Sequence, residues 1–314
     1  MSLFLQYQCC FLGHQLVFSQ AEDFFCKMNG ITVSAKQIER VCHHYGEEFE
    51  SDYALGKLVD APTGCVTVDN PAYVMMDGGM ILTRQKEHPW KELKLGRVFR
   101  SRDHVKGVSK KRNLITDSRY VGHIGGHQEF LSKLDFFIED IDNDSKVFIA
   151  DGALWIWNWV QDMYPDSTQI LDFFHAKEHL CQFASVYFEE VKTRDGWIRS
   201  MEKLLLDDQV EQIVDTLKQL LAGKNKKTTT NILNNLIRYY LNNLKRMKYK
   251  TFKNEGYLIG SGAMESAIRN VVQHRLKRSG QRWTIKGGQQ ITNIRTMSLS
   301  NGQDKIIEKI KKAA

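Results

Sequence analysis

The pattern of hydrophobic and polar positions divides the chain into four regions. Over residues 1–65 the apolar positions recur at helical spacing. A helix over 19–28 precedes a second one that begins after Ser34, carries the capping partner Gln37 and ends at Gly46. Two helices joined by the short NGITV connection are typical of a helix-turn-helix, although helical hairpins also occur in proteins that bind no DNA. We therefore predict a helical N-terminal region with a possible DNA-binding role.

Residues 66–184 show the patterns of a mixed sheet. PAYVMMDGGMILTR (71–84) has two short apolar runs around a DGG turn, and WKELKLGRVFRS (90–101) supplies a third extended segment, which together predict an antiparallel meander. A helix is expected over 124–141. KVFIADGA (146–153) and then QILDFF are buried strands, each followed by a helical pattern. These two β-α units predict an α/β fold whose mixed sheet has flanking helices.

The last two regions are helical. Residues 185–255 carry amphipathic stripes and no strand pattern, which predicts an all-helical insertion. Residues 256–314 begin with the glycine-rich turn YLIGSGAMES, continue into the helix SAIRNVVQHRLKRS and end in a short basic tail. We expect these last helices to complete the core that residues 66–184 begin.

Two aspartates stand in matching positions. Asp77 follows the strand AYVMM and Asp151 follows KVFIA, and a glycine comes next in both cases. A strand followed by Asp-Gly is also an ordinary turn signal, so each position alone is weak evidence for a site. Two carboxylates that converge require a cation between them, or else one of them must be protonated. Magnesium prefers such hard oxygen ligands, so the pair predicts a Mg²⁺ site.

Glu265 is a third candidate acid, in the first turn of the helix that SGAMES opens. A glutamate in that position is commonly explained by the favourable helix dipole alone. The residues that follow it in the same segment favour another role, since Arg269, Arg275 and Trp283 are among several basic and aromatic side chains there. A carboxylate beside a basic, aromatic stretch suits a site that acts on phosphodiesters.

Composition and charge narrow the class of protein. The 314 residues are 42% hydrophobic and carry a formal net charge of +7. No apolar run reaches the ~20 residues of a membrane span, and the N-terminus lacks the features of a signal peptide. The six cysteines include no C-x-x-C pair, which predicts reduced thiols in a cytoplasmic protein.

The positive charge is concentrated in two stretches, which are either solvated faces or surfaces for nucleic acid. The first contains Lys91, Lys94, Arg97, Arg100, Arg102, Lys106, Lys110, Lys111 and Arg112. The second contains Arg269, Arg275, Lys277, Arg278, Arg282 and Lys286. The predicted DNA-binding residues are Lys91, Lys94, Arg97, Arg269, Arg275, Lys277, Arg278, Arg282 and Trp283.

Several motifs together resemble the DDE transposases of bacterial insertion sequences, specifically the Kra-type family, which is related to the Mutator-like transposases. IADGALWIWNW, ILDFFHAKEHL and GSGAMESAIRNVVQHRLKRSGQRW occur in the family's order, together with MMDGGMILTR and WKELKLGRVF. The similarity covers residues ~20–297. It implies an RNase H-like core, with Asp77 on a strand beside that of Asp151 and with Asp77, Asp151 and Glu265 as a metal-binding catalytic triad.

The resemblance also implies the reaction and the partners. Two divalent cations, Mg²⁺ or Mn²⁺, would support hydrolysis and strand transfer at transposon ends. The family's D-x-x-H element falls on Asp172 and His175, as supports rather than metal ligands. Double-stranded DNA is the expected partner, homo-oligomers are expected on that DNA, no membrane is expected, and the location would be the bacterial cytoplasm at the nucleoid.

Two alternatives remain. His175, Glu178 and His179 spell H-x-x-E-H, a zinc-protease signature with histidines one helical turn apart. That interpretation leaves Asp77 and Asp151 unexplained and gives the basic stretches no role. The second alternative is a catalytically inactive or domesticated DNA-binding relative. Transposases of this kind usually carry more sequence before the core, so we expect a chain that either is shortened at its N-terminus or begins within a longer protein.

Overall fold

The computed structural model describes residues 1–55, 66–107, 113–223, 226–300 and 302–312. It divides into two compact units, one made of residues 1–146 and 263–314 and the other of 147–262. The chain is mixed α/β, with a five-stranded mixed sheet and flanking helices. None of the helices in these ranges combines the length and the apolar character needed to cross a membrane.

The secondary structure elements follow in chain order. The helices are α1 (Leu3–Gly13), α2 (Phe18–Asn29), α3 (Ala35–Ala54), α4 (His127–Asp135), α5 (Leu154–Met163), α6 (Phe173–Tyr187), α7 (Val191–Leu206), α8 (Val210–Ala222), α9 (Lys227–Asn243), α10 (Tyr249–Asn254), α11 (Gly262–Ala267), α12 (His274–Leu276), α13 (Ile285–Leu299) and α14 (Gln303–Lys312). A π-helical segment, Ile268–Gln273, joins α11 to α12. The strands are β1 (Ala72–Leu82), β2 (Trp90–Arg100), β3 (His104–Lys106), β4 (Asn113–Ile115), β5 (Arg119–Ile124), β6 (Lys146–Ala150) and β7 (Thr168–Leu171).

The N-terminal helices confirm one prediction and correct another. Ser34 and Gln37 form the expected capping box at the start of α3. The prediction that this helix ends at Gly46 is wrong, because α3 continues to Ala54. A Cβ atom on Gly46 would lie 2.3 Å from the carbonyl oxygen of Gln290. The glycine therefore allows α13 to pack closely against α3 and does not end the helix.

The meander of the first unit differs from its prediction in the strands that form it. β1 pairs with β2 and β2 with β5, both antiparallel, so the predicted antiparallel pairing of residues 71–84 with 90–101 is confirmed, whereas the third strand, β5, was not predicted. The predicted DGG turn is wrong, because β1 runs without interruption through Gly78 and Gly79, which pair with Lys94 and Leu93. The chain turns between β1 and β2 after Leu82 instead. Pairing along the full length of β2 keeps the two glycines extended.

The second unit contains the two predicted β-α units followed by helices. β6 and β7 are parallel, with Ala150 opposite Leu171, and α5 connects them. Aromatic side chains pack in the core of this unit, where the Phe148 ring stacks on Tyr164 and contacts Trp159 edge-on. The remaining elements of the unit, α6 to α10, are helical, as expected for residues 185–255.

Two buried arginines join the N-terminal and C-terminal helices of the first unit. Arg275 donates from Nε to the carbonyl of Gly13 at 2.9 Å, and Arg295 donates from Nη1 to that of His14 at 2.7 Å. Burial lowers the pKa of each guanidinium to about 10. Their acceptors are backbone carbonyls, so each cation is held by dipoles rather than by a carboxylate.

Candidate active site and nucleic-acid surface

Asp77 lies inside a strand and not at its end. The prediction that it follows the last residue of a strand is wrong, because β1 continues for five residues to Leu82. The side chain is half-buried, and its Oδ1 atom accepts a hydrogen bond from the backbone N–H of Gly78 at 2.7 Å. Its partner across the ladder is Leu95 of β2. A mid-strand position gives the carboxylate a rigid backbone.

Glu265 lies in α11, which a buried cation fixes against the sheet. Arg97 on β2 donates from Nη1 to the carbonyl of Ala263 at 2.7 Å. Arg97 stands opposite Met75 in the register of β1 and β2, and residues opposite each other in antiparallel strands share a face. The start of α11 therefore lies over the face of β1 that carries Met75.

The same face of β1 meets this helical segment at a second point. A Cβ atom on Gly79 would lie 3.8 Å from the side chain of Ile268, in the π-helical segment. Asp77 lies on β1 midway between Met75 and Gly79, and Glu265 lies between the two contact points on the helix. Residues 75–79 of β1 and residues 263–268 thus form one strip of the first unit. This strip carries the half-buried Asp77 carboxylate and the exposed Glu265 carboxylate.

Asp151 belongs to the second unit and occupies the predicted position directly after β6. Its Oδ1 atom accepts from the backbone N–H of Ala153 at 3.0 Å, which forms a tight turn before α5. The indole N–H of Trp157 donates to the Asp151 carbonyl at 2.7 Å. The turn holds the half-buried carboxylate at the end of the strand, as the sequence predicted.

The structure brings Asp172 and His175 together. Asp172 is buried and caps α6, since its Oδ1 atom accepts from the N–H of Phe174 at 2.8 Å. Its other oxygen accepts a short hydrogen bond from the hydroxyl of Ser261. The Nε2 atom of His175 lies 4.0 Å from that same oxygen. Asp172 therefore serves as a helix cap that ties the turn before α11 to α6.

The sequence did not predict the contact between His179 and Tyr239 near this element. The ring of His179 lies 4.4 Å from the ring of Tyr239, centroid to centroid. The Tyr239 hydroxyl is buried without a hydrogen-bond partner among the described residues. Burial raises its pKa, and the nearby charges of Asp151 and Asp172 raise it further. A Cβ atom on Gly152 would lie 2.2 Å from the Tyr239 ring, so the glycine makes room for the tyrosine.

Nothing in the sequence marks Tyr239, because it belongs to an ordinary amphipathic helix. From the sequence, His179 was considered only as part of the H-x-x-E-H alternative. In the structure burial is the main cause that lowers its pKa, followed by the neighbouring charge of His175. The two histidines of H-x-x-E-H thus have different surroundings, with His175 near Asp172 and His179 against Tyr239.

Asp77, Asp151 and Glu265 are the candidate ligands of a divalent cation. In the ranges that the structure describes, no three His, Cys, Asp or Glu side chains are grouped so that they could hold an ion. Asp77 and Glu265 belong to the first unit and Asp151 to the second. The donor chemistry of the three carboxylates suits Mg²⁺ or Mn²⁺, which prefer hard oxygen ligands.

The predicted DNA-binding residues separate into buried and exposed groups. Buried are Lys94, Arg97, Arg275 and Trp283, whereas Lys91 is half-buried. Exposed are Arg269, Lys277, Arg278 and Arg282. A buried cation that already donates to a backbone carbonyl is poorly placed to reach a phosphate, so the structure assigns Lys94, Arg97 and Arg275 to internal contacts. Lys110, Lys111 and Arg112 of the first basic stretch lie outside the described residues.

The comparisons with known proteins identify a family without an assigned activity. A model of the uncharacterised protein family UPF0236 matches residues 73–313, which is most of the chain. The chain therefore belongs to this family. The search of curated proteins found no match to it.

Proposed function

We propose that this member of UPF0236 is a DDE transposase of the Kra type with an RNase H-like core. The observation that carries the proposal is the placement of Asp77 and Glu265 on one strip of the first unit. Arg97 and Gly79 fix the two ends of that strip through their contacts with Ala263 and Ile268. Two carboxylates in such a setting suit the binding of a divalent cation.

The proposal assigns Asp77, Asp151 and Glu265 as ligands of two divalent cations. When bound, Mg²⁺ or Mn²⁺ would acidify the attacking water and stabilise the charge on the leaving oxygen. The strand and the turn that carry Asp77 and Asp151 hold these carboxylates in place through their hydrogen bonds to backbone N–H groups. Rigid backbone of this kind suits in-line chemistry, which tolerates little misplacement.

The reaction of this proposal is phosphodiester hydrolysis followed by transesterification. The oxygen of water joins phosphorus while the bond to the 3′ oxygen breaks, which leaves a 3′-hydroxyl and a 5′-phosphate. In strand transfer the 3′-hydroxyl then attacks a target phosphodiester in the same way. The exposed cations Arg269, Lys277, Arg278 and Arg282 would contact the DNA backbone. A homo-oligomer on paired ends, in the bacterial cytoplasm at the nucleoid, belongs to the same proposal.

The test is cleavage of DNA that carries the ends of the element, in the presence of Mg²⁺. Asp77→Asn, Asp151→Asn and Glu265→Gln should each lower the cleavage rate by at least about 100-fold, because even the supporting residues of metal ligands contribute roughly 10–100-fold. DNA binding measured in EDTA should be unchanged. The matched control is Asp215→Asn, an exposed acid on α8 that pairs only loosely with Lys218 at 3.7 Å.

Each alternative has its own outcome in this experiment. Wild-type protein that binds the ends and never cuts them would indicate an inactive DNA-binding relative. Stoichiometric zinc that survives dialysis, lost on His175→Ala, would favour the protease. Cleavage that persists in the Asp77 and Glu265 variants would show that the proposed metal ligands are wrong.

A further inference from the structure

A pocket of about 260 Å³ lies entirely within the first unit. The side chains that matter for its chemistry are Glu39, His43, Arg84 and Arg282. Its volume is below the ~300–1,000 Å³ of typical small-molecule sites. The space therefore suits one small polar group better than a whole cofactor.

Backbone pairing makes one wall of the pocket rigid. The N–H of Trp283 donates to the carbonyl of Leu82 at 3.0 Å, and the N–H of Arg84 donates to that of Trp283 at 2.8 Å. The Nε atom of Arg84 also donates to the carbonyl of Arg282 at 3.3 Å. The two arginines thus project from adjacent, hydrogen-bonded segments of chain.

The N-terminus of α13, beside this wall, packs against the ring of His43. Thr284 caps α13 by accepting from the N–H of Gly287 at 3.0 Å. A Cβ atom on Gly287 would come within 3.1 Å of the His43 ring. The Nε2 atom of His43 is buried and has no hydrogen-bond partner among the described residues. Burial lowers the pKa of His43, so the ring is neutral at pH 7 and can offer a hydrogen bond.

Charges around the pocket divide into paired and unpaired groups. Lys36 lies 2.6 Å from Glu39, and Lys286 lies 2.9 Å from Glu47, so these four groups largely neutralise one another.

The arginines of the wall form no close salt bridge among the described residues. Arg84 and Arg282 are exposed. Burial tends to raise the pKa of Glu39 in the same pocket, but the contact with Lys36 and, to a smaller extent, the nearby charge of Arg84 lower it. Because Lys36 already contacts Glu39, the two guanidinium groups share one partly neutralised carboxylate, which favours an anion with several acceptor oxygens.

We propose that this pocket binds a terminal phosphate of a nucleic acid strand, with Arg84 and Arg282 as its ligands. The inference rests on the proposed function, in which cleavage leaves a 5′-phosphate on one product strand. A phosphate monoester presents three oxygens to the bidentate donors of arginine. The exposed Lys277 and Arg278 lie on the same segment shortly before Arg282, where they can contact the strand that carries the phosphate.

The experiment compares two single-stranded oligonucleotides of one sequence, one with a 5′-phosphate and one with a 5′-hydroxyl, each labelled at its 3′ end. Fluorescence anisotropy in EDTA removes any contribution of cleavage. We expect the phosphorylated strand to bind about tenfold more tightly, because charge-assisted hydrogen bonds from arginine to phosphate are stronger than those to a hydroxyl. Arg84→Gln and Arg282→Gln should each remove most of that preference.

The matched control is Arg102→Gln. Arg102 is exposed and follows the end of β2 that is paired with Ala72, whereas Arg84 follows the opposite end of the β1–β2 pair. This variant should keep the tenfold preference. Equal binding of the two strands by the wild-type protein would overturn the inference, and it needs no variant that might fold poorly.

Further measurements distinguish free phosphate from a terminal phosphate as the ligand, and test the pocket inference separately from the proposed function. Inorganic phosphate should lower binding of the phosphorylated strand to the level of the hydroxyl strand, and an absence of competition would overturn the inference. The second test compares melting temperatures. If inorganic phosphate raises the melting temperature of the protein as much as the phosphorylated strand does, the ligand of the pocket is free phosphate, and the proposal of a terminal phosphate is wrong. Asp77→Asn should keep the preference while it loses cleavage. Cleavage without any preference would overturn the pocket inference alone.

Discussion

The two basic stretches look alike in the sequence, but the fold uses them differently. In the first, Lys94, Arg97 and Arg100 of β2 are all buried. In the second, Arg275 is buried, whereas Lys277 and Arg278, which follow it, are exposed. A cation in the middle of a sheet and a cation at the end of a helix therefore have different roles, although the composition of the two stretches is similar.

The position of β2 explains this difference. The strand pairs with β1 on one side and β5 on the other, so it has no free edge. On one face a Cβ atom on Gly96 would lie 3.0 Å from Leu134 of α4, and on the other Arg97 reaches Ala263 of α11. Cations in a strand that is covered on both faces need internal acceptors, because an unpaired buried charge is costly. The second stretch ends at a helix terminus, where side chains can remain in solvent.

The largest expected effect is on stability, at Arg100. Its guanidinium makes a bidentate pair with Asp103 at 2.8 and 3.1 Å, and both side chains are buried. Arg100→Ala should lower the free energy of unfolding by about 3–5 kcal/mol, because the buried Asp103 carboxylate would lose its ionic partner and keep only the backbone N–H of residue 100. Urea denaturation measures this loss. The double variant Arg100→Met with Asp103→Leu should recover most of it, and a loss below about 1 kcal/mol in the single variant would contradict the internal role of this stretch.

The next effect concerns pH and depends on the buried part of the second stretch. His14 is buried next to Arg275 and Arg295, and burial together with these two cations lowers its pKa from 6.5 to about 3. The unfolded chain therefore binds a proton below pH 6.5 that the folded protein does not bind until about pH 3. Between pH 7 and pH 4 this difference should cost about 3 kcal/mol of unfolding free energy.

The variant His14→Phe separates this contribution from the rest of acid denaturation. His14 meets the Phe11 ring edge-on at 5.9 Å, an arrangement that a second phenylalanine can keep. The pH dependence of unfolding should flatten by about 3 kcal/mol over the same interval. The exposed His44 provides the control, since His44→Gln should leave the slope unchanged. An unaltered slope in His14→Phe would show that His14 is not the acid-sensitive group.

The same contrast shows how much the sequence could predict. Alternation and helical periodicity predicted the antiparallel pairing of β1 with β2, the β-α units and the capping box of Ser34 and Gln37, because these depend on local patterns. Gly46 was misinterpreted as a helix end because the need for a glycine there comes from the close approach of Gln290, which is distant in the sequence. The DGG segment was misinterpreted because pairing with β2 overrides the local turn preference of Asp-Gly.

The candidate site shows the same division. Asp151 lies at its predicted strand end, and Asp172 and His175 are adjacent, since both features depend on neighbouring residues in the chain. Tyr239 and the burial of Arg97 and Arg275 depend on which helix or strand packs beside them. Charge alone could not separate internal cations from external ones, because that distinction is made by tertiary packing.

The smallest effect on stability, and the sharpest one on binding, should come from the exposed cations. Replacing Arg269, Lys277 and Arg278 by glutamine should change the free energy of unfolding by no more than about 0.5 kcal/mol per site. The affinity for double-stranded DNA should fall at low salt, and the slope of log K against log salt should become shallower by about 2–3, because each phosphate contact contributes ~0.9. Lys94→Met is the matched comparison: its ammonium is buried, with Glu92 at 2.6 Å, so it should lower stability and leave the salt slope unchanged. The roles assigned to the two stretches would be wrong if Lys94→Met made the salt slope shallower, or if the triple variant left that slope unchanged.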